Sequence, residues 1–286
     1  VGLLNGITEF RVRAMANVLE AAHPGAKPWN ILDDLGRIGK DARPVVIQGG
    51  LSTDAYLYDP FKRMLLERGF DVTATHLQLH GYASIQRDAA SLSKAVNAAS
   101  ARSIAGGGDG LVNVVAHSKG GLASRWYLQQ MDGIDHVAQL VTIGTPHNGS
   151  APGGATLTAL TSRLPGIAGV KELSTTSRTV TTLNDTLPQF MQRARAARPD
   201  FRIVSVTGDM NLPGLRGTDG LVSVGAARLD DSIPGLHNLV FQGAGGHHGA
   251  VAGQLGLFEP TLRSATELLA GSSVAQAAKG ASNLVA

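Results

Sequence analysis

The chain has 286 residues, 43% of them apolar and 16% charged, with 36 glycines and no cysteine. That apolar content fills a core and excludes a disordered chain, and the missing thiols exclude disulfides, thiolate nucleophiles, cysteine zinc sites and iron–sulfur clusters. Lys and Arg number 25 against 22 Asp and Glu, a formal charge of only +3, which is too small an excess for nucleic-acid coating.

Residues 5–22 are predicted as an amphipathic helix carrying Phe10, Met15, Val18 and Leu19, ended by His23-Pro24-Gly25. Val45-Val46-Ile47 is predicted as a short buried strand that runs into Gly49-Gly50. Pro60 suits the first turn of a helix and Gly69 its end. Residues 70–75 alternate as a strand, and residues 84–102 read as a long helix. Leu111 to Val115 reads as a strand, Leu122 to Met131 as a helix and Val137 to Ile143 as the next strand.

Alternating apolar strands and helices predict an α/β fold, a mostly parallel sheet with helices on both faces. The rhythm breaks over 148–200, where Pro152, Pro165 and Pro188 stand among Thr and Ser runs. That stretch is predicted as a cap inserted in a single domain spanning 1–286. Strands resume at Phe201 to Thr207 and near Leu239-Val240-Phe241, a last helix runs from Pro260 to Leu269, and 271–286 is predicted as a flexible tail. No apolar run approaches the roughly 20 residues needed to span a bilayer. The start at Val1 rather than Met reads as a leader or a tag already removed, or as an otherwise trimmed chain. The N-terminal helix and the Ala-rich tail offer surfaces for a homodimer.

The sharpest signal is Val114-Val115-Ala116-His117-Ser118-Lys119-Gly120-Gly121, placed between an apolar strand and a helix. A strand that turns straight into a helix can present a serine hydroxyl above the sheet edge only if the residues two before and two after it lack bulk. Ala116 and Gly120 meet that condition. The hydroxyl would then sit at a helix N-terminus, where the dipole favours developing negative charge.

Such a nucleophile needs a carboxylate and then an imidazole further along the chain. Asp219, in Gly217-Thr218-Asp219-Gly220, is the favoured carboxylate, with Asp209 as its rival. The loop Gly243-Ala244-Gly245-Gly246-His247-His248-Gly249 offers two adjacent histidines, only one of which can face the serine. His117 lies beside the nucleophile but inside the turn. His76 and His80 have zinc-like spacing without an obvious third ligand, so no metal and no cofactor is expected. Gly106 to Gly110 precedes a strand and lacks a following Gly-Lys-Ser/Thr, which argues against a phosphate loop.

With these residues in place, the chain resembles the α/β-hydrolase superfamily, and within it the bacterial secreted lipases, most closely the small Bacillus-type enzymes with Ala-His-Ser at the turn. Pro44 to Leu51 resembles their first oxyanion segment, Val141 to Gly149 their Gly-x-Pro segment, and Gly246-His247-His248-Gly249 their Gly-His-x-Gly loop. The resemblance covers roughly 44–150 and 200–255. It implies a secreted or periplasmic serine hydrolase acting on ester or amide bonds. The implied machinery is Ser118, Asp219 and His247, with the Leu51 and Lys119 backbone N–H groups as the oxyanion hole.

Three departures stand out. Gly49 replaces a histidine common in those lipases. Residues 150–200 lack a counterpart in the minimal ones. Gly249 stands where larger relatives keep a calcium-binding aspartate, so calcium is not carried over.

Residues 151–202 hold seven basic residues against three acidic ones, a net of +4 that exceeds the charge of the whole chain. With Lys119, Arg163, Lys171 and Arg178 as substrate-binding groups, this suggests an alternative substrate: an anionic polymer such as poly(aspartic acid), cleaved by a depolymerase and steered to the site by its charge. An acyltransferase would use the same residues while excluding water, whereas a binding protein on a dead scaffold would normally have lost one of them.

Overall fold

The structure is a computed structural model and describes residues 42–51, 53, 55–150, 168–243, 246–248 and 260–282. The expected helix over 5–22 lies outside the described residues. Six strands form one all-parallel sheet: β1 (Val45–Gln48), β2 (Val72–Thr75), β3 (Val112–His117), β4 (Val137–Ile143), β5 (Arg202–Asp209) and β6 (Leu236–Gln242), in the order β2-β1-β3-β4-β5-β6. The longer helices are α1 (Asp59–Glu67), α2 (Ile85–Ala105), α3 (Lys119–Gln130), α4 (Arg178–Ala197), α5 (Pro260–Leu269) and α6 (Val274–Ser282).

Each central strand is buried on both faces, as a parallel sheet between helices requires. Val45, Ile47, Val115, Val141, Ile143, Val204 and Val206 pack on one side with Phe61 and Leu65 of α1 and Leu268 of α5. Their neighbours Val46, Val114, Ala116, Leu140 and Ile203 pack on the other side with α2, α3 and α4. Helix α2 buries Ile85, Ala89, Leu92, Val96 and Ala99, a single stripe at helical spacing. Its Ser84 cap accepts a hydrogen bond from the Arg87 N–H at 3.3 Å.

Two expectations change here. Much of the stretch predicted as a cap is α4, whose Leu187, Phe190, Met191 and Ala194 cover the sheet as the crossover from β4 to β5. Pro188 does not end this helix. It forgoes one backbone bond, and the buried stripe holds the helix together. Second, 274–282 is a helix rather than a loose tail, with Ala277 fully buried in the core.

The chain steps from β1 outward to β2 and then back past β1 to β3. In open α/β sheets such a reversal leaves a crevice at the carboxyl ends of the two strands. The segments after β1, β3, β4, β5 and β6 all emerge on that edge.

Candidate active site

Ser118 follows the last residue of β3 and precedes the first of α3, with φ 53° and ψ −128°. This is a rare conformation for a residue with a side chain, and it is held by its surroundings. The Ser118 N–H continues the sheet by donating to Ile143 O at 2.8 Å, and Ser118 O accepts from Thr145 Oγ1 at 2.9 Å. A Cβ on Gly120 would lie 2.4 Å from Gly49 O, so any larger residue there would push α3 off β1. Ser118 itself is half-buried at the crevice.

Asp219 sits in the turn after β5, is fully buried and has both carboxylate oxygens in use. Oδ1 accepts from the N–H groups of Leu221 (2.9 Å) and Val222 (2.6 Å). Oδ2 lies 2.6 Å from Nδ1 of His248. The alignment with lipase loops points to His247, whereas in the structure it is His248 that meets the carboxylate. Gly246 is wedged with its backbone against Gly208 and Asp209, and the His248 N–H donates to Asp219 O at 2.9 Å. This register gives the carboxylate to His248, while His247 lies near Gly220 and Met210. Burial, aided by His248, pushes the His247 pKa down to about 4.

Asp209, the rival carboxylate, organises its own turn by accepting from Asn211 N at 3.0 Å and Gly217 N at 2.8 Å. Gly144, with φ 56°, leaves room for the pair, because a Cβ there would come within 2.9 Å of His248 Nδ1 and 3.1 Å of Asp219 Oδ2.

His117 joins these parts. Its Nδ1 is 2.8 Å from the Tyr58 hydroxyl and its Nε2 is 3.1 Å from His248 O. The His117 and His248 rings stand 4.6 Å apart. That contact brings the Asp219–His248 pair to the residue next to Ser118. Burial holds His117 well below the usual imidazole range.

Lys119 departs from expectation. Its backbone N–H opens α3, where helix geometry leaves it without an intrahelical acceptor. Its side chain does not face substrate: the ammonium is fully buried and donates to Asp88 Oδ2 at 2.5 Å and Ala83 O at 2.8 Å. Burial pulls both members of this pair toward neutrality, Asp88 upward and Lys119 downward, and their mutual attraction opposes it.

The other basic residues are scattered. Arg163 lies outside the described residues. Lys171 and Arg178 are exposed, the latter at the start of α4. Arg198 donates to Ile134 O and Val137 O, Arg195 to Phe201 O, and Arg202 to Leu268 O and Ser272 O. Arg198 and Arg195 bind carbonyls at the amino ends of β4 and β5, and Arg202, the first residue of β5, binds carbonyls at the end of α5, all on the edge opposite Ser118. Arg125 is wholly buried; it donates to Gln129 Oε1 on its own helix and ties α3 to α4 through Asn184 Oδ1 and Leu183 O. Burial lowers its pKa to about 9.

Among the described residues, no cluster of three or more His, Asp or Glu side chains could hold a metal ion, and no helix is long and apolar enough to cross a membrane. His76 is exposed, and the His80 side chain lies outside the described part.

The family model for the alpha/beta hydrolase fold matches residues 43–244, and the chain belongs to that family. No curated protein sequence matches it. Among solved structures, it is similar to the lin2722 gene product of Listeria innocua (16% identity, TM-score 0.55, covering 80% of this chain and 94% of that one). It is also similar to the mature lipase BlEst2 of Bacillus licheniformis (22%, 0.52, 75% and 88%). Aspergillus fumigatus lipase B is a third (16%, 0.51, 88% and 63%). At these identities the likeness is one of fold.

Proposed function

We propose that the protein is a lipase- or esterase-like serine hydrolase that cleaves carboxylic ester bonds through an acyl-enzyme. The observation that carries this reading is the buried 2.6 Å contact between His248 Nδ1 and Asp219 Oδ2, set beside a serine in strained strand-to-helix geometry. An ionised carboxylate only accepts, so Nδ1 carries the proton and Nε2 is left as the base.

In the reading, His248 Nε2 takes the Ser118 hydroxyl proton as Oγ attacks the acyl carbon. The resulting oxyanion accepts from the backbone N–H groups of Lys119 and Leu51. The histidine then returns the proton to the departing alkoxide, leaving an acyl-serine. Water, deprotonated by the same Nε2, releases the acid. Asp219 fixes the tautomer and stabilises the imidazolium.

The lipases among the structural neighbours favour an ester over an amide. The commitment of Arg195, Arg198 and Arg202 to the far edge favours an uncharged acyl substrate over a polyanion.

A fluorophosphonate probe and a panel of p-nitrophenyl esters test the proposal. Ser118 is expected to be the labelled residue, and the Ser118→Ala protein is expected to fold and show no turnover. Turnover retained by Ser118→Ala would end the reading.

A further inference from the structure

The mechanism above uses neither Tyr58 nor His117, although both are buried polar side chains between its parts. Their hydrogen bonds have a forced direction. His248 O is a carbonyl and only accepts, so His117 Nε2 is the donor across 3.1 Å. His117 is neutral, its burial opposing a second proton, so Nδ1 is an acceptor and the Tyr58 hydroxyl donates to it across 2.8 Å. The Tyr58 oxygen in turn accepts the Gly50 N–H at 3.0 Å. Thr53 Oγ1 donates to Gly50 O at 2.7 Å and closes the same turn.

One continuous path therefore runs from the Gly50 N–H through Tyr58 and His117 to the backbone of His248. At one end it occupies the Gly50 amide, which leaves the next amide, that of Leu51, as the loop's donor for an oxyanion. At the other end it holds the peptide that carries the general base. Gly49 makes this possible, because a Cβ there would lie 3.0 Å from Tyr58 Cε2. The ring of Tyr58 thus lies against the position where related lipases often carry a histidine.

We infer that Tyr58 and His117 are positioning residues for acyl transfer, a bridge that sets the oxyanion loop and the histidine loop in register with each other. The inference rests on the proposed serine-hydrolase reading.

Steady-state kinetics with a short-chain p-nitrophenyl ester test it, with active sites titrated by fluorophosphonate and Ser118→Ala as the blank. Tyr58→Phe keeps the ring and removes the bridging hydroxyl. It is expected to lower kcat per titrated site about 10- to 100-fold with little change in KM, since misplacement of about 1 Å costs on that order. A boronic acid that mimics the tetrahedral adduct is expected to bind it more weakly by a similar factor.

His117→Leu, which cuts the path at its centre, is expected to reproduce the loss. His117→Asn places an amide oxygen where Nδ1 accepts from Tyr58 and is expected to recover part of it. Wild-type kcat and boronate affinity in Tyr58→Phe, whatever its melting temperature, would overturn the inference. Should Tyr58→Phe not fold, equal kcat in His117→Leu and His117→Asn would overturn it instead. A dead Ser118→Ala protein beside an unaffected Tyr58→Phe protein sinks the bridge alone, whereas an active Ser118→Ala protein sinks the reading beneath it.

Discussion

His248 and Asp219 are bonded twice, side chain to side chain at 2.6 Å and backbone N–H to backbone O at 2.9 Å. The second bond fixes where residue 248 begins and the first fixes where its ring ends, so the neighbouring imidazole cannot take its place without unwinding the turn. His248→Ala is therefore expected to reduce ester turnover to background, and His247→Ala to retain it within a few-fold. The opposite pattern, read from initial rates on one ester, would return the role to His247.

The two carboxylates of the turn after β5 separate in the same assay. Asp219→Asn keeps the shape but favours the wrong tautomer of His248, and kcat is expected to fall by about 10³–10⁴-fold. Asp209 accepts only backbone N–H groups at Oδ1. Asp209→Asn preserves that acceptor and is expected to leave kcat within a few-fold. Equal losses in the two variants would contradict the assignment.

Lys119 and Asp88 form an ion pair with no exposure on either side chain. Removing one partner strands the other charge, and Lys119→Met or Asp88→Leu is expected to cost about 3–5 kcal/mol of stability. The double replacement is expected to regain much of that loss. Chemical denaturation of the three variants measures it, and additive losses would mean the pair is not coupled.

Stability should also depend on acidity. His117 and His147 are buried and neutral, each held by its burial well below the ordinary imidazole value of about 6.5. Below that pH the unfolded chain gains protons that the folded one refuses, so stability is full above about pH 6.5 and declines on acidification. The slope reaches up to about 1.4 kcal/mol per pH unit for each histidine. Urea midpoints are expected to drop between pH 7 and pH 5, and less so in His147→Gln. A flat profile would show that neither ring is shielded as the structure places it.

Salt dependence separates the substrate classes. With its inner arginines engaged at the far edge, the protein is expected to turn over an uncharged ester at nearly the same kcat/KM at low and moderate salt. Poly(aspartate) cleavage that collapses with added salt would instead favour the anionic-polymer alternative.

The sheet and its carboxyl edge are legible because β3 and β4 are mostly apolar, β-branched runs, interrupted only by Asn113 and His117 and by Gln139 and Thr142, and Ala116 to Gly120 admits few other geometries. The sequence does not show α4 as a crossover helix, because Pro188 signals a stop locally, whereas the stripe from Val180 to Ala194 reveals its purpose only against β4 and β5. The choice between His247 and His248 depends on the wedging of Gly246 against Gly208 and Asp209, a contact between the loop after β6 and the end of β5 with no local signature. Lys119 looked available because it follows the nucleophile, but its partner Asp88 is 31 positions away. Tyr58 is hidden in the sequence for the same reason: its importance is a distance to His117, and nothing in Ala55 to Tyr58 announces it.

Arg125 carries a consequence for motion. Its guanidinium is wholly buried and donates to uncharged oxygens contributed from both α3 and α4. Prising those two helices apart would abandon a cation in an apolar interior. The two helices are therefore expected to move as one body, and any opening toward Ser118 that parted them would carry that cost.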